Sequence, residues 1–125
     1  MSAAARIAKV LLVIAIGVIL WLALSANPPR AAGLLDFDKL NHLGAFFVLA
    51  LLTDYAFPSV AVSALKLLPL LGFGLLIEVL QYCIGYRYFE WLDVMADAAG
   101  IVLFWLVRGA LRRRFDPLIQ KTLGV

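Results

Sequence analysis

Eight polar or ionisable residues lie near the ends of long apolar segments, where side chains of these types could bind a ligand or transfer a proton. They are Asp38, Lys39, His42, Glu78, Gln81, Arg87, Asp93 and Asp97. Carboxylates and imidazole can act as acids or bases, while lysine and arginine can hold anionic groups. A charge at membrane depth costs roughly 2.5–3.5 kcal/mol on insertion scales, so we expect these residues to be functional.

The composition indicates a membrane protein. Of the 125 residues, 65% are hydrophobic and only 15% are charged, which is more apolar surface than a small soluble core could bury. Four segments approach the ~20 residues needed to cross the hydrocarbon region. They cover residues 7–24, 40–57, 61–84 and 94–111. The predicted fold is therefore all-α: one integral membrane four-helix bundle, a single domain over residues 1–125.

Prolines and a polar aromatic stretch separate these segments. Residues 27–29 (Asn-Pro-Pro) end the first segment, Pro58 ends the second, the stretch 85–91 ends the third, and Pro117 follows the fourth. Proline lacks a backbone donor and disfavours helix in the residue before it. Pro69 lies inside the third segment, where it predicts either a kink or a later start of that helix.

The distribution of lysine and arginine predicts that both termini are cytoplasmic. With the N-terminus inside, eight of these residues fall on the inner side: Arg6, Lys9, Lys66, Arg108, Arg112, Arg113, Arg114 and Lys121. Only Arg30, Lys39 and Arg87 fall on the outer side. Most acids have the opposite distribution, and Asp54 and Asp116 are the two acids expected inside. The positive net charge is thus a topology signal.

The basic residues near the two ends of the sequence allow two other interpretations. The run at 112–114 directly follows an apolar segment, where basic residues meet anionic lipid, so no nucleic-acid partner is expected. Arg6 and Lys9, the following apolar run and the sequence at 23–25 (Ala-Leu-Ser) also resemble a cleavable signal peptide. Cleavage there would leave three membrane spans.

The polar residues form pairs on single helix faces. The pairs are Asp38 with His42, Glu78 with Gln81, and Asp93 with Asp97, at spacings of three or four residues. In the predicted topology all three segment ends lie on the outer side of the membrane. Ala96 and Gly100 form a small-xxx-small pair that favours close helix packing, and Gly72 and Gly74 thin the third segment. The sequence therefore predicts an outward-facing polar pocket.

Several of these residues also have simple structural explanations. Asp38 and Asp93 could be carboxylates that stabilise helix starts, and Lys39 could extend its charged end to water. Arg87 could be a loop residue in contact with water, and His42 could be a hydrogen-bonded packing residue. Glu78, Gln81 and Asp97 are harder to explain in this way, because they lie about a turn or more inside apolar sequence and need partners there.

The order of the polar residues resembles that of VanZ-like membrane proteins. The pattern is Asp38-Lys39-x-x-His42, then Glu78-x-x-Gln81, Arg87, and Asp93-x-x-x-Asp97-x-x-Gly100, spanning residues 38–106. The family commonly has Asn at the position of Asp97. The resemblance implies a multi-pass protein of the bacterial cytoplasmic (inner) membrane, with a link to glycopeptide antibiotic resistance or to maintenance of the cell envelope.

The leading functional hypothesis is that the pocket binds a membrane lipid or a lipid-linked envelope precursor. Lys39 and Arg87 would hold anionic groups, with arginine able to do so in bidentate fashion. The acids and Gln81 would position these cations or bind polar substituents of the ligand. A purely structural role is the second alternative, in which polar residues join helices at about 0.6 kcal/mol each. A homo-oligomer is compatible with each of these hypotheses.

An enzyme at the membrane surface, a hydrolase or transferase, is the first alternative. His42 with Asp38, or Glu78 beside Asp97, could form an acid/base pair. No nucleophile is evident, because Cys83, the sole cysteine, has no activating partner in the sequence. The set Asp38, His42, Glu78 and Asp97 matches no recognised metal-ligand spacing, so neither a metal nor a cofactor is predicted. The catalytic residues stay unassigned.

Overall fold

The computed structural model describes residues 1–25, 38–61, 64–85 and 89–124, and within these ranges it contains four α-helices and no strand. They are α1 (Ala3–Leu24), α2 (Asp38–Ala56), α3 (Ala64–Ile84) and α4 (Trp91–Leu123). The prediction of an all-α chain with four helices is confirmed. Arg30, Arg87 and the turn predicted at 27–29 lie outside the described residues.

The starts of α1 and α3 differ from the sequence prediction. α1 begins at Ala3 rather than at residue 7, because the Ser2 hydroxyl accepts a hydrogen bond from the Ala5 backbone N–H at 3.2 Å and caps the first turn. α3 begins at Ala64 rather than at residue 61. The start is thus later than predicted, but Pro69 does not mark it, because this proline lies inside the helix.

α4 is much longer than predicted. The segment at 94–111 is part of a 33-residue helix that continues past the run of arginines and past Pro117. The prediction that Pro117 lies beyond the helix is therefore wrong. Arginine, leucine, glutamine and lysine are strong helix formers, which supports the helix beyond its apolar part. The helix ends at Leu123. Gly124 follows it with a left-handed backbone (φ 66°), and the Gly124 N–H donates to the Gln120 carbonyl oxygen.

Three of the described helices are long and apolar enough to cross a membrane. These are α1, the segment Leu65–Ile84 of α3, and α4. α2, the remaining predicted span, has 19 residues and carries several ionisable side chains, including Asp38, Lys39 and Asp54. α2 is also the central helix, since it contacts α1, α3 and α4 and packs most extensively against α4 and α1.

Side-chain pairs show that successive helices run in opposite directions. Lys39 contacts Asp93 and Asp54 contacts Arg108, so α2 and α4 run parallel. Lys66, at the start of α3, meets Asp54 near the end of α2. The start of α1 also lies at this end, because Ser2 borders the same surface depression as Gln120 and Leu123 of α4. The beginning of α1 and the end of α4 therefore share one end of the bundle.

The core between the helices is apolar, and so is much of the outer surface. Phe46, Leu49 and Phe104 are almost completely buried between α2 and its neighbours. Large apolar side chains nevertheless face outward, with Leu65 83% exposed and Leu106 67% exposed. The charged side-chain pairs described above lie near the two ends of the bundle.

Candidate functional site

A group of charged side chains from α2, α3 and α4 lies at the end of the bundle where α2 and α4 begin. We call it the carboxylate cluster. Its described members are Asp38, Lys39, His42, Glu78, Glu90, Asp93 and Asp97. Five of the seven are acids. The cluster is therefore strongly acidic, with one lysine and one histidine among its described members.

His42 lies between two carboxylates of α4. Its Nδ1 is 2.8 Å from an oxygen of Asp97, and its Nε2 is 3.6 Å from an oxygen of Asp93. Asp93 and Asp97 are four residues apart and therefore lie on one face of α4, which is the face that contacts His42. The sequence paired His42 with Asp38 and Glu78 with Asp97 as acid/base partners, whereas the structure gives His42 its hydrogen bond with Asp97.

Lys39 occupies the exposed rim of the cluster. Its ammonium group contacts carboxylate oxygens of Glu90 and Asp93 and lies 3.7 Å from Asp38. The side chain is 42% exposed, so its head reaches solvent while three acids surround it. Lys39 therefore neutralises acids of its own cluster. That it also holds an anionic ligand, together with Arg87, stays a prediction.

Glu78 and Asp97 form the buried floor of the cluster. They are 0% and 1% exposed, and one oxygen of each, Glu78 Oε1 and Asp97 Oδ2, has no hydrogen-bond partner among the residues that the structure describes. The other Glu78 oxygen accepts from the Glu90 backbone N–H at 3.2 Å. A buried polar atom without a partner costs about 1–3 kcal/mol, and more when it is charged. Such atoms in a folded protein call for an explanation.

Two glycines allow the helices to approach closely at this end. A Cβ atom added at Gly74 would lie 2.5 Å from Asp97 Oδ2, and one added at Gly100 would lie 2.2 Å from the Leu43 carbonyl oxygen. Gly100 therefore brings the backbones of α2 and α4 together, whereas Gly74 leaves room for the Asp97 side chain. Ala96, the partner of Gly100 in the predicted packing pair, is partly buried on α4.

Gln81, which was predicted to belong to the polar pocket, forms a hydrogen bond with α1. It is buried, and its side-chain amide donates to the Ala23 carbonyl oxygen at 2.9 Å. The last carbonyls of a helix have no partner within the helix, so Gln81 satisfies one of them near the end of α1. This bond joins α3 to α1. Arg87 lies outside the described residues.

Glu90 is a member of the cluster that the sequence prediction missed. It precedes α4 by one residue, contacts Lys39 through its carboxylate and donates its backbone N–H to Glu78. Its position three residues before Asp93 places the two acids on one face at the helix start. That spacing could have identified it.

A second charged group, at the opposite end of the bundle, was also missed. We call it the Asp54 cluster. Its members are Asp54, Tyr55, Lys66, Arg108, Arg112 and Asp116. The sequence prediction used its charges only to assign the cytoplasmic side. The available signal was Asp54 itself, an acid inside an apolar segment and therefore in need of partners.

Both carboxylate oxygens of Asp54 have cationic partners. Oδ1 accepts from Lys66 Nζ at 2.9 Å, and Oδ2 accepts from Arg108 Nε at 2.9 Å and from a terminal nitrogen of Arg112 at 2.7 Å. Asp54 is 1% exposed. Charge-assisted bonds of this kind are stronger than neutral ones and compensate the burial of the carboxylate.

Lys66 and Arg112 also complete hydrogen bonds around the end of α2. Lys66 Nζ donates to the carbonyl oxygens of Phe57 and Val60 at 2.8 and 3.0 Å. Arg112 lies 3.9 Å from the centre of the Tyr55 ring, and the Tyr55 hydroxyl donates to Asp116 at 2.7 Å. The Asp54 cluster therefore satisfies its own polar groups and joins α2, α3 and α4.

Comparison with known proteins gives no match to a family model, to a curated protein or to a solved structure. The resemblance to VanZ-like proteins thus stays a prediction from the residue order.

Proposed function

We propose that this chain is a multi-pass protein of the bacterial cytoplasmic membrane whose carboxylate cluster binds the polar headgroup of a membrane lipid or lipid-linked envelope precursor. Both termini lie in the cytoplasm, and the carboxylate cluster faces the outer surface. On this proposal α2 completes the transmembrane bundle as its central helix, shielded from lipid by its neighbours.

Surface composition and helix direction support the membrane part of the proposal. Outward-facing leucines such as Leu65 and Leu106 match the surface of a protein surrounded by lipid. The beginning of α1 and the end of α4 share one end of the bundle, and this is the end that holds Arg112 and its basic neighbours. The positive-inside rule places that end in the cytoplasm.

The observation that carries the binding proposal is the pair of unpartnered oxygens on Glu78 and Asp97. They are buried where three helices meet, next to a rim that reaches solvent through Lys39. Both atoms are acceptors, so the group that satisfies them must donate hydrogen bonds. Hydroxyl and ammonium groups of a lipid headgroup or of a lipid-linked sugar have this chemistry.

Lipid-resolved native mass spectrometry of protein extracted with its membrane tests this proposal. Wild type should retain a specific lipid, while Asp97→Asn and Glu78→Gln should each lower its occupancy at least tenfold. Each substitution keeps the side-chain shape but can place an amide donor where the ligand must donate. Asp116→Asn is the matched control, because it removes an acid at the opposite end. Equal occupancy in all four proteins would overturn the proposal.

The orientation can be tested with the single native cysteine. Cys83 is exposed two residues before Gly85, near the end of α3 that carries Glu78. A membrane-impermeant maleimide added to spheroplasts should label wild type and should not label a Cys83→Ser, Ser2→Cys variant, whose cysteine lies at the other end. Labelling only of the variant would show the reverse orientation.

An acid/base reaction at His42 is the second candidate function. It is favoured by the placement of one carboxylate beside each ring nitrogen, which would orient the ring and stabilise its protonated form. The measurement is turnover of the co-purifying lipid by wild type and by His42→Gln. Turnover by wild type that the variant lacks would favour an enzyme. The link to glycopeptide resistance is tested separately, by comparing teicoplanin susceptibility with and without the expressed chain.

A further inference from the structure

We propose that the rim of the carboxylate cluster binds one divalent cation of the Zn²⁺ or Mn²⁺ type. The ligands are His42 Nε2 and one oxygen each from Asp38 and Asp93. This inference deepens the proposed function and rests on it in one respect, that the cluster faces water. The cation would give an acidic site the positive charge needed to hold a phosphate-bearing headgroup.

The three donor groups are already gathered at one point. Asp38, His42 and Asp93 each offer a ligand atom, and these atoms lie within 4.8 Å of one another. His42 Nε2 and Asp93 Oδ2 are 3.6 Å apart. Bonds of about 2.0–2.2 Å in a tetrahedral site place neighbouring ligand atoms roughly 3.5 Å apart. The histidine and Asp93 are therefore near the required spacing, and a carboxylate oxygen of Asp38, on the first turn of α2, lies within 4.8 Å of both.

The orientation of His42 suits this role. Nδ1 lies 2.8 Å from an Asp97 oxygen and can donate to it, while Nε2 faces Asp93. A metal ion at Nε2 would displace any proton there and leave the Nδ1–H donated to Asp97. Metal-bound histidines usually donate their second ring N–H to a carboxylate or carbonyl in this way, and the interaction fixes the tautomer. Asp97 is thus a positioning residue rather than a ligand.

Glu78 provides an observation independent of the donor set. It is fully buried, and its Oε1 has no partner among the described residues. Its other oxygen accepts from the Glu90 backbone N–H at 3.2 Å, and the Glu90 carboxylate shares Lys39 with Asp93. Among the described residues of the cluster, Lys39 is the one lysine beside five acids. A divalent cation beside Asp93 would offset the buried negative charge.

The donor types define the class of cation and of ligand. One imidazole and two carboxylates suit Zn²⁺ or Mn²⁺, whereas sites for Ca²⁺ are built from oxygen atoms alone. Three protein ligands leave at least one coordination position open, which an oxygen of water or of a headgroup phosphate can fill. Glu78 and Asp97 would then accept hydrogen bonds from hydroxyl or ammonium groups of the same headgroup.

Lys39 provides a second test of the site. Its ammonium contacts Asp93 Oδ1 and lies near Asp38, so it competes with a metal ion for the same carboxylates. Lys39→Gln removes this competing charge and keeps a polar side chain at the rim. We expect Lys39→Gln to bind the metal several-fold more tightly than the parent protein, whereas loss of a ligand must weaken binding.

The experiment uses detergent-purified full chain carrying Cys83→Ser, so that no thiol binds Zn²⁺. After treatment with a chelator, the protein is titrated calorimetrically with ZnCl₂ and with MnCl₂, and CaCl₂ serves as the comparison. The expected result is one Zn²⁺ or Mn²⁺ per chain. His42→Gln and Asp38→Asn should weaken binding at least tenfold, and Asp97→Asn by about 10–100-fold. Asp116→Asn, whose side chain is 39% exposed compared with 38% for Asp38, should bind like the parent.

Two results would overturn the inference. One is the absence of stoichiometric binding by the parent protein, and the other is binding that His42→Gln leaves unchanged. Thermal unfolding of each variant without metal identifies any that fails to fold. In that case Lys39→Gln decides the question, because it is expected to bind the metal more tightly and failure to fold cannot cause tighter binding. Retention of lipid without metal binding would contradict this inference alone. Metal binding without specific lipid retention would contradict the proposed function alone.

Discussion

At one end of the bundle both carboxylate oxygens of Asp54 accept from cationic donors of α3 and α4. At the other end, one buried oxygen each of Glu78 and Asp97 has no donor among the described residues. Both ends bring charged side chains of α2, α3 and α4 together. The Asp54 cluster completes its own hydrogen bonding, and the carboxylate cluster does not.

This difference separates a structural role from a binding role. A buried ion pair with all partners present needs nothing from outside the protein, and removing one partner leaves an uncompensated charge. An acceptor that is buried without a partner lowers stability unless a ligand satisfies it. Variants at the two ends should therefore fail differently, with those in the Asp54 cluster losing stability and those in the carboxylate cluster losing ligand.

The largest effect on stability is expected for Asp54→Asn. This change leaves Lys66, Arg108 and Arg112 without the carboxylate that joins them, and we expect a loss of about 3–5 kcal/mol in the free energy of unfolding. Unfolding in mixed detergent micelles measures it. Asp116→Asn is the control, because its carboxylate is partly exposed and should cost no more than about 1 kcal/mol. Equal losses in the two variants would remove the distinction between buried and exposed acids at this end.

The next largest effect on stability is expected at Gly74, and Gly72 on the same helix serves as the comparison. Gly74→Ala places a Cβ atom against Asp97 and should cost about 1–3 kcal/mol and lower lipid retention, because overpacking forces side chains to move. Gly72 has nothing within 4 Å of an added Cβ, so Gly72→Ala should gain up to about 1 kcal/mol from helix propensity. Both quantities can be measured on the same purified samples. If Gly74→Ala gains as much stability as Gly72→Ala, the close approach of Gly74 to Asp97 is not maintained.

A smaller loss is expected for Tyr55→Phe. It removes the hydroxyl that donates to Asp116 but keeps the ring beneath Arg112, so the cost should be about 0.5–1.5 kcal/mol. A double-mutant cycle with Asp116→Asn measures the coupling. Coupling near zero would show that this hydrogen bond contributes nothing to the Asp54 cluster.

The smallest effect on stability is expected for Glu78→Gln. Because Oε1 has no donor, replacing the carboxylate by an amide should change the free energy of unfolding by no more than about 0.5 kcal/mol, and the change can be a gain. Unfolding curves and lipid retention should be recorded together. A loss comparable with that of Asp54→Asn would mean that Glu78 is structural.

Much of the fold could be predicted from the sequence, because the lengths of the hydrophobic segments indicate helices directly, whereas Pro69 and Pro117 both lie inside helices. The four helices and the gathering of polar residues at one end follow from segment length and from spacings of three and four residues. The extent of α4 did not follow. An apolar window ends at the first charges, but the helix continues through the arginines, where Arg112 reaches back to Asp54.

The detailed pairing could not be predicted because it depends on the register between helices. His42 bonds with Asp97 across 55 residues, and Arg112 bonds with Asp54 across 58. Neither separation leaves a periodic signal in one sequence. Gln81 shows the same limit, since the sequence places it near the end of α3, but its partner is a backbone carbonyl of α1.

Whether the carboxylate cluster binds a ligand or only holds the helices together can be decided by measuring lipid occupancy and the thermal midpoint on the same samples of wild type, Asp97→Asn and Asp54→Asn. We expect Asp97→Asn to lose the specific lipid while keeping the midpoint of lipid-free wild type, and Asp54→Asn to have a clearly lower midpoint. If Asp97→Asn instead retains the lipid and unfolds at a much lower temperature, the carboxylate cluster is a structural element and does not bind the lipid.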